Sequence, residues 1–156
     1  MALTVGTKAP DFKLFNTDKK EVSLSNFTGK NLVIQFFPAA FTGVCTEQLC
    51  NSRDELAYYN NMNASVVGVS VDMLFSQAVF KEKNAINFDL LSDFNKKMIH
   101  EYDMYHCNFA FGFKGVAKRG VVVVDKAGVI QYVEETPSPG DQVNFAALKT
   151  AVEKLK

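Results

Sequence analysis

Three almost unbroken apolar runs mark the chain: Leu32 to Phe37, Ser65 to Val71 and Val121 to Val124. Runs of that kind read as strands buried on both faces, at the centre of a sheet covered by helices on either side. Between the first two, the spacing from Val44 to about Tyr59 becomes helical, with Leu49, Leu56 and Tyr59 as inner positions. Phe75, Val79 and Phe80 predict a helix, and Phe94 to Tyr102 a short further one. Ahead of the central runs, Phe12 to Phe15 and Val22 to Leu24 read as short strands around the polar turn Asn16 to Lys20. After the third run, Asp125-Lys126-Ala127-Gly128 turns the chain into a hairpin partner at Val129 to Val133. Pro137 to Gly140 ends the sheet, and Asp141 is placed to cap a last helix whose inner face is Phe145, Leu148, Val152 and Leu155. Strands alternating with helices, then a hairpin and a helix, predict an α/β sandwich on a central mixed β-sheet flanked by helices. No repeat, low-complexity tract or linker divides the chain, which predicts a single domain over residues 1–156.

Composition narrows the partners. An apolar fraction of 47%, a charged fraction of 22% and a formal net charge of zero are those of an ordinary globule, with no basic surplus for nucleic acid or an anionic membrane. No run reaches the length of a membrane span, and Met1 to Pro10 lacks the charged-then-apolar order of a secretory signal, so a cytoplasmic protein is expected. The 3 cysteines, an odd number, form no disulfide framework and point instead to reactive or buried thiols in a reducing compartment.

The chemistry concentrates where the first apolar run ends. Phe36-Phe37-Pro38-Ala39-Ala40-Phe41-Thr42-Gly43-Val44-Cys45 runs a strand into a proline and a turn, then places Cys45 at the start of a helix. Unpaired amides and a partial positive charge gather there and favour a thiolate, the reactive form of cysteine. Pro38, Thr42 and Cys45 form the pattern P-x-x-x-T-x-x-C, which resembles the active-site pattern of peroxiredoxins. The surrounding residues are most similar to the AhpE-type branch, with the PrxQ/BCP branch next. Val5 to Phe12, Leu24 to Lys30 and Lys118-Arg119-Gly120 before Val121 to Asp125 resemble other peroxiredoxin segments in the same order, over nearly the whole chain.

That resemblance implies a thioredoxin-like fold with an N-terminal β extension, which the predicted order of elements matches. It also implies a thiol-dependent peroxidase, with antioxidant activity on hydrogen peroxide and organic hydroperoxides, that needs neither metal nor organic cofactor. By the same resemblance Cys45 is the peroxidatic nucleophile, Arg119 stabilises its charge, and Thr42 aligns the peroxide oxygens. Pro38 shields the sulfur, and the amides of Val44 and Cys45 stabilise charge on oxygen. Arg53 is a second candidate cation, ranked below Arg119 because its spacing equally suits a surface ion pair with Asp54 or Glu55.

Oxidation leaves a sulfenic acid that another thiol must resolve. Cys50 is a candidate for forming that disulfide bond, at a spacing some PrxQ/BCP-type members use. Equally it is a packing residue, with an external thiol closing a one-cysteine cycle. Thioredoxin, a glutaredoxin-like protein and a low-molecular-weight thiol all remain open as reductant. Cys107, beside His106, is expected to be partly buried, and the spacing of Cys45, Cys50, His106 and Cys107 does not resemble a structural metal site. Phe109, Phe111 and Phe113, if in a strand, make an aromatic ridge: core, pocket rim or the contact of a homodimer. Two residues depart from the family's pattern: Gln48, where AhpE-type members carry glutamate and PrxQ/BCP members glutamine, and Asp89, where a proline is expected. Rival readings are a thiol–disulfide oxidoreductase, disfavoured by the absence of C-x-x-C, and a non-catalytic thiol redox sensor or chaperone-like interaction protein.

Overall fold

The computed structural model describes residues 3–155; Met1, Ala2 and Lys156, at the ends of the expected domain and leader-free N-terminus, lie outside the described residues. The chain runs β1 (Lys13–Asn16), β2 (Glu21–Ser23), a single 3-10 turn (Leu24–Phe27), β3 (Asn31–Phe36), α1 (Gly43–Asp54), α2 (Leu56–Asn61), β4 (Ala64–Ser70) and α3 (Leu74–Lys83). It continues through β5 (Asp89–Ser92), α4 (Lys97–Glu101), β6 (Tyr105–His106), β7 (Val116–Ala117), β8 (Gly120–Val124), β9 (Ile130–Glu135) and α5 (Phe145–Glu153).

Seven strands form one sheet in the order β2-β1-β5-β4-β3-β8-β9. The core strands β3, β4 and β5 are parallel, while β8, β9 and the β1–β2 extension are antiparallel to their neighbours, the mixed sheet expected of the thioredoxin-like class. Each central run is buried because both faces of the sheet are covered. In β3, Leu32, Ile34 and Phe36 pack with Met98, Ile99 and Tyr102 on one face. Val33 and Phe37 pack with Leu49, Tyr59, Phe80, Leu148 and Val152 on the other. Period-two alternation thus divides one apolar run between two cores.

Topology fixes where chemistry can sit. Parallel β3 and β4 end together, Phe36 beside Val69. The antiparallel β8 begins there, with Gly120 opposite Phe36, so the residue before β8 stands at the mouth of the loop after β3. Gly120 is demanded by that approach: a Cβ would lie 2.5 Å from the Glu134 carbonyl oxygen and 2.9 Å from the Met104 side chain. The hairpin turn before β9 forms as predicted. Gly128 takes φ +83°, and the Asp125 carboxylate accepts from the Ala127 and Val129 amides at 2.9 and 3.0 Å.

Several elements differ from the expectation. The helix predicted over 44–59 breaks at Glu55, where the Arg53 carbonyl accepts from Asn87 Nδ2 at 3.3 Å. In α3 the inner positions are Gln77 and Phe80; Phe75 and Val79 are exposed. The short helix of 94–102 contracts to Lys97–Glu101. Asp89–Ser92, too short to show a period, is a strand, β5. Asn144 rather than Asp141 caps α5, accepting from the Ala147 amide at 3.0 Å. The segment carrying Phe109, Phe111 and Phe113 is not a strand. Positive φ at Phe111 and Gly112 curls it into a loop closed by Phe109 N to Phe113 O at 3.0 Å and Phe113 N to Ala110 O at 2.8 Å. Those rings are therefore not core: Phe111 is 92% and Phe113 63% exposed. Cys107, in the same loop, is exposed rather than partly buried.

Candidate active site

The loop leaving β3 is pinned before it reaches α1. The Asp72 carboxylate, just beyond β4, accepts from the Ala40 amide at 2.8 Å and from Ser70 Oγ at 2.7 Å. Phe41 then adopts φ 68°, a left-handed conformation costly for a bulky L-residue, and packs its ring edge-on against Phe80. Thr42 occupies the cap position of α1, but its hydroxyl caps no amide; it donates to the Ala39 carbonyl at 2.7 Å. The oxygen's lone pairs stay available on an exposed side chain. The first helical bond runs from Thr46 N to Thr42 O at 2.9 Å, so the amides of Gly43, Val44 and Cys45 precede it.

Cys45, in the first turn of α1, is 0% exposed and belongs to the core cluster that contains Phe37 and Leu49. Its sulfur meets one cation. Arg119 Nη1 donates to Cys45 Sγ at 3.2 Å and to Gln48 Oε1 at 2.9 Å. The guanidinium is held from the other side by the Pro139 carbonyl, which accepts from Nε at 3.0 Å and Nη2 at 2.7 Å. Among the described residues no carboxylate pairs with Arg119, so its charge faces sulfur, a carbonyl and a side-chain amide. An open depression rimmed by Pro38, Thr42, Phe109 and Pro139 leads down to Cys45 and Arg119.

The structure brings Pro38, Thr42, Cys45 and Arg119 to one place. Arg53 is elsewhere: it pairs with Asp54 at 2.9 Å and donates to the Asn84 carbonyl at 2.6 Å. Cys50 is half-buried within the uninterrupted α1, packed against the core cluster that holds Cys45. Both are free thiols. In a straight helix five residues separate Cα atoms by about 8.7 Å, beyond the roughly 7 Å limit of a disulfide.

Sequence reasoning passed over several parts. Gln48 was singled out only as a departure, yet it is buried and holds Arg119. Gln35, also buried, holds Gln48 through Oε1 at 2.8 Å. Its signal was a lone amide inside an apolar run. The Pro139 carbonyl left none, because main-chain ligands carry no side-chain signature.

The model of the AhpC/TSA family matches residues 5–133. The chloroplastic peroxiredoxin Q of Oryza sativa is 38% identical over 128 residues; the match covers 82% of this chain but 57% of that protein, so the chain spans little more than half of its length. Alkyl hydroperoxide reductase E of Mycobacterium tuberculosis is 33% identical over 142 residues, 89% of each chain. The crystal structure of a peroxiredoxin-like protein from Aquifex aeolicus superposes with TM-score 0.90 at 27% identity, covering 100% of this chain and 90% of that one.

Proposed function

The chain belongs to the AhpC/TSA family, and on that premise we propose that it is a thiol-dependent peroxidase acting on hydrogen peroxide and organic hydroperoxides. The observation that carries this reading is the buried contact of 3.2 Å between Arg119 Nη1 and Cys45 Sγ at the first turn of a helix. A guanidinium and unpaired amides at one sulfur stabilise negative charge where a nucleophile needs it.

The Cys45 thiolate attacks one peroxide oxygen, an S–O bond forms and the O–O bond breaks. Sulfur is oxidised by two electrons to the sulfenic acid, and the second oxygen leaves as hydroxide or alkoxide, which takes a proton from solvent to become water or alcohol. Arg119 has five N–H groups, of which four meet Cys45, Gln48 and, twice, Pro139. The remaining Nη2 hydrogen is free to meet a peroxide oxygen. Thr42 Oγ accepts a hydrogen bond from the peroxide, and the Val44 and Cys45 amides take up charge on the departing oxygen. Pro38 closes the site without adding a donor. Cys45 is fully buried, so a small peroxide reaches it through slight opening of the depression.

A thiol then attacks the sulfenic acid, giving a disulfide and water, and a second thiol releases Cys45. If Cys50 is the attacker, the first turns of α1 must unwind. Oxidised protein carrying a Cys45–Cys50 bridge is expected to lose hydrogen-exchange protection over residues 43–50. A bridge formed with that protection intact contradicts the geometry. Without Cys50 the cycle uses an external thiol, from thioredoxin, a glutaredoxin-like protein or a small thiol.

The exposed Phe111 and Phe113 supply an apolar surface for a homodimer. Phe111→Ser is expected to shift sedimentation toward the monomer; an unchanged mass places the contact elsewhere. Three free cysteines with no disulfide framework support a reducing compartment, the cytoplasm, which cell fractionation tests. A sensor that oxidises once has no use for an aligned threonine and arginine, so turnover is the favoured reading over the redox sensor.

A further inference from the structure

Under the site lies a chain of buried polar side chains. Gln35, Gln48 and Ser52 are each 0% exposed, and Gln35 lies between Val33 and Phe37 on the face of β3 that α1 covers. Buried amides are retained at a cost unless each donor and acceptor is matched. Here the matching has a direction. The Phe36 carbonyl can only accept, and Arg119 can only donate. One orientation of the Gln48 amide serves both: Nε2 donates to Phe36 O at 3.2 Å, and Oε1 accepts from Arg119 at 2.9 Å. The second Nε2 hydrogen goes to Gln35 Oε1 at 2.8 Å, which turns Gln35 Nε2 toward Ser52 Oγ, also at 2.8 Å. A glutamate at position 48 would set a carboxylate oxygen against the Phe36 carbonyl, so that carbonyl suits a neutral partner.

We propose that Gln35 is a positioning residue for the Cys45 reaction. By accepting the second Nε2 hydrogen it holds the Gln48 side chain in place beneath Arg119, in the orientation that Phe36 and Arg119 set, and a neutral oxygen leaves the guanidinium's charge to the sulfur. The inference rests on the peroxidase reading for its purpose, but its geometry stands without it.

The test is the pH dependence of Cys45 alkylation by iodoacetamide in Gln35→Met, a variant of similar length and volume that keeps packing and removes both hydrogen bonds. The midpoint is expected to rise by about one pH unit, which is a tenfold loss of thiolate on the acid side. A variant that titrates at the parent's midpoint overturns the proposal. A variant that fails to fold is replaced by a measurement on the unmodified protein. There the side-chain amide resonances of Gln35 and Gln48 are expected to shift with the midpoint of Cys45 alkylation, and resonances fixed across that range overturn the proposal. Alkylation needs no peroxide turnover. A protein inert to peroxide but with the shifted midpoint would sink the peroxidase reading alone, and a parent-like midpoint in an active peroxidase would sink the relay alone.

Discussion

Cys45→Ser abolishes hydroperoxide reduction, with a loss in kcat/KM on the order of 10^5-fold or more, the scale on which removal of an enzyme's nucleophile is felt. Serine keeps the size of the side chain and a hydrogen-bond acceptor for Arg119, but its hydroxyl does not ionise near neutral pH and cannot pass through a sulfenic acid. The fold should therefore survive, while stopped-flow mixing of reduced protein with hydrogen peroxide should show no fast phase. Cys107→Ser is the natural comparison. That thiol is exposed, and the Arg119 guanidinium bonds to Cys45, Gln48 and Pro139 instead, so its loss should leave the fast phase as in the parent. Fast peroxide consumption by Cys45→Ser would move the reaction to another thiol.

Arg119→Met should cost on the order of 10^3-fold in the rate with peroxide, comparable to losing a preorganised charge-stabilising donor and equivalent to about 4 kcal/mol of transition-state stabilisation. Two effects add. The sulfur loses its cation, and the peroxide loses the free Nη2 hydrogen. Arg119→Lys should fall between parent and methionine variant, near about 10^2-fold, because an ammonium lacks the planar fork that here spans Cys45, Gln48 and Pro139. The methionine variant also leaves the buried Gln48 oxygen without its donor, which should cost about 1–3 kcal/mol of folding stability. Near-UV circular dichroism separates lost structure from lost charge. A folded Arg119→Met within threefold of the parent would show that the guanidinium does not serve the sulfur.

Much of this architecture could be read from residue pattern. The runs at Leu32–Phe37, Ser65–Val71 and Val121–Val124 announced β3, β4 and β8 because each lies under cover on both faces, where apolar residues are required at every position. Asp125 to Gly128 announced a hairpin because the turn needs a positive φ and an acceptor for its amides. What stayed hidden depended on contacts distant in sequence. At the break by Glu55, Asn87 reaches the Arg53 carbonyl from 34 residues away. The loop of Phe109 to Phe113 alternates like a strand, yet Gly112 and local hydrogen bonds close it on itself.

At the site, Pro38, Thr42 and Cys45 were legible since they lie in one short segment from the end of β3 to the first turn of α1, and Arg119 since it directly precedes an unmistakable strand. The buried amides were not. Gln35 and Gln48 stand 13 residues apart in the chain and meet only because α1 lies across β3. A glutamine in an apolar run looks like a blemish in the pattern until the partner above it is known.

The measurement that bears most directly on the whole account sets the buried thiol against the exposed one in a single molecule. Reduced protein is mixed with one equivalent of hydrogen peroxide, quenched within the fast phase with a sulfenic-acid trap, and its three cysteine peptides are mapped by mass. The account predicts the trapped oxygen on Cys45 alone, with Cys107 still a free thiol despite its exposure to solvent. Oxidation that begins at Cys107, or that spreads over the cysteines in order of exposure, would contradict it.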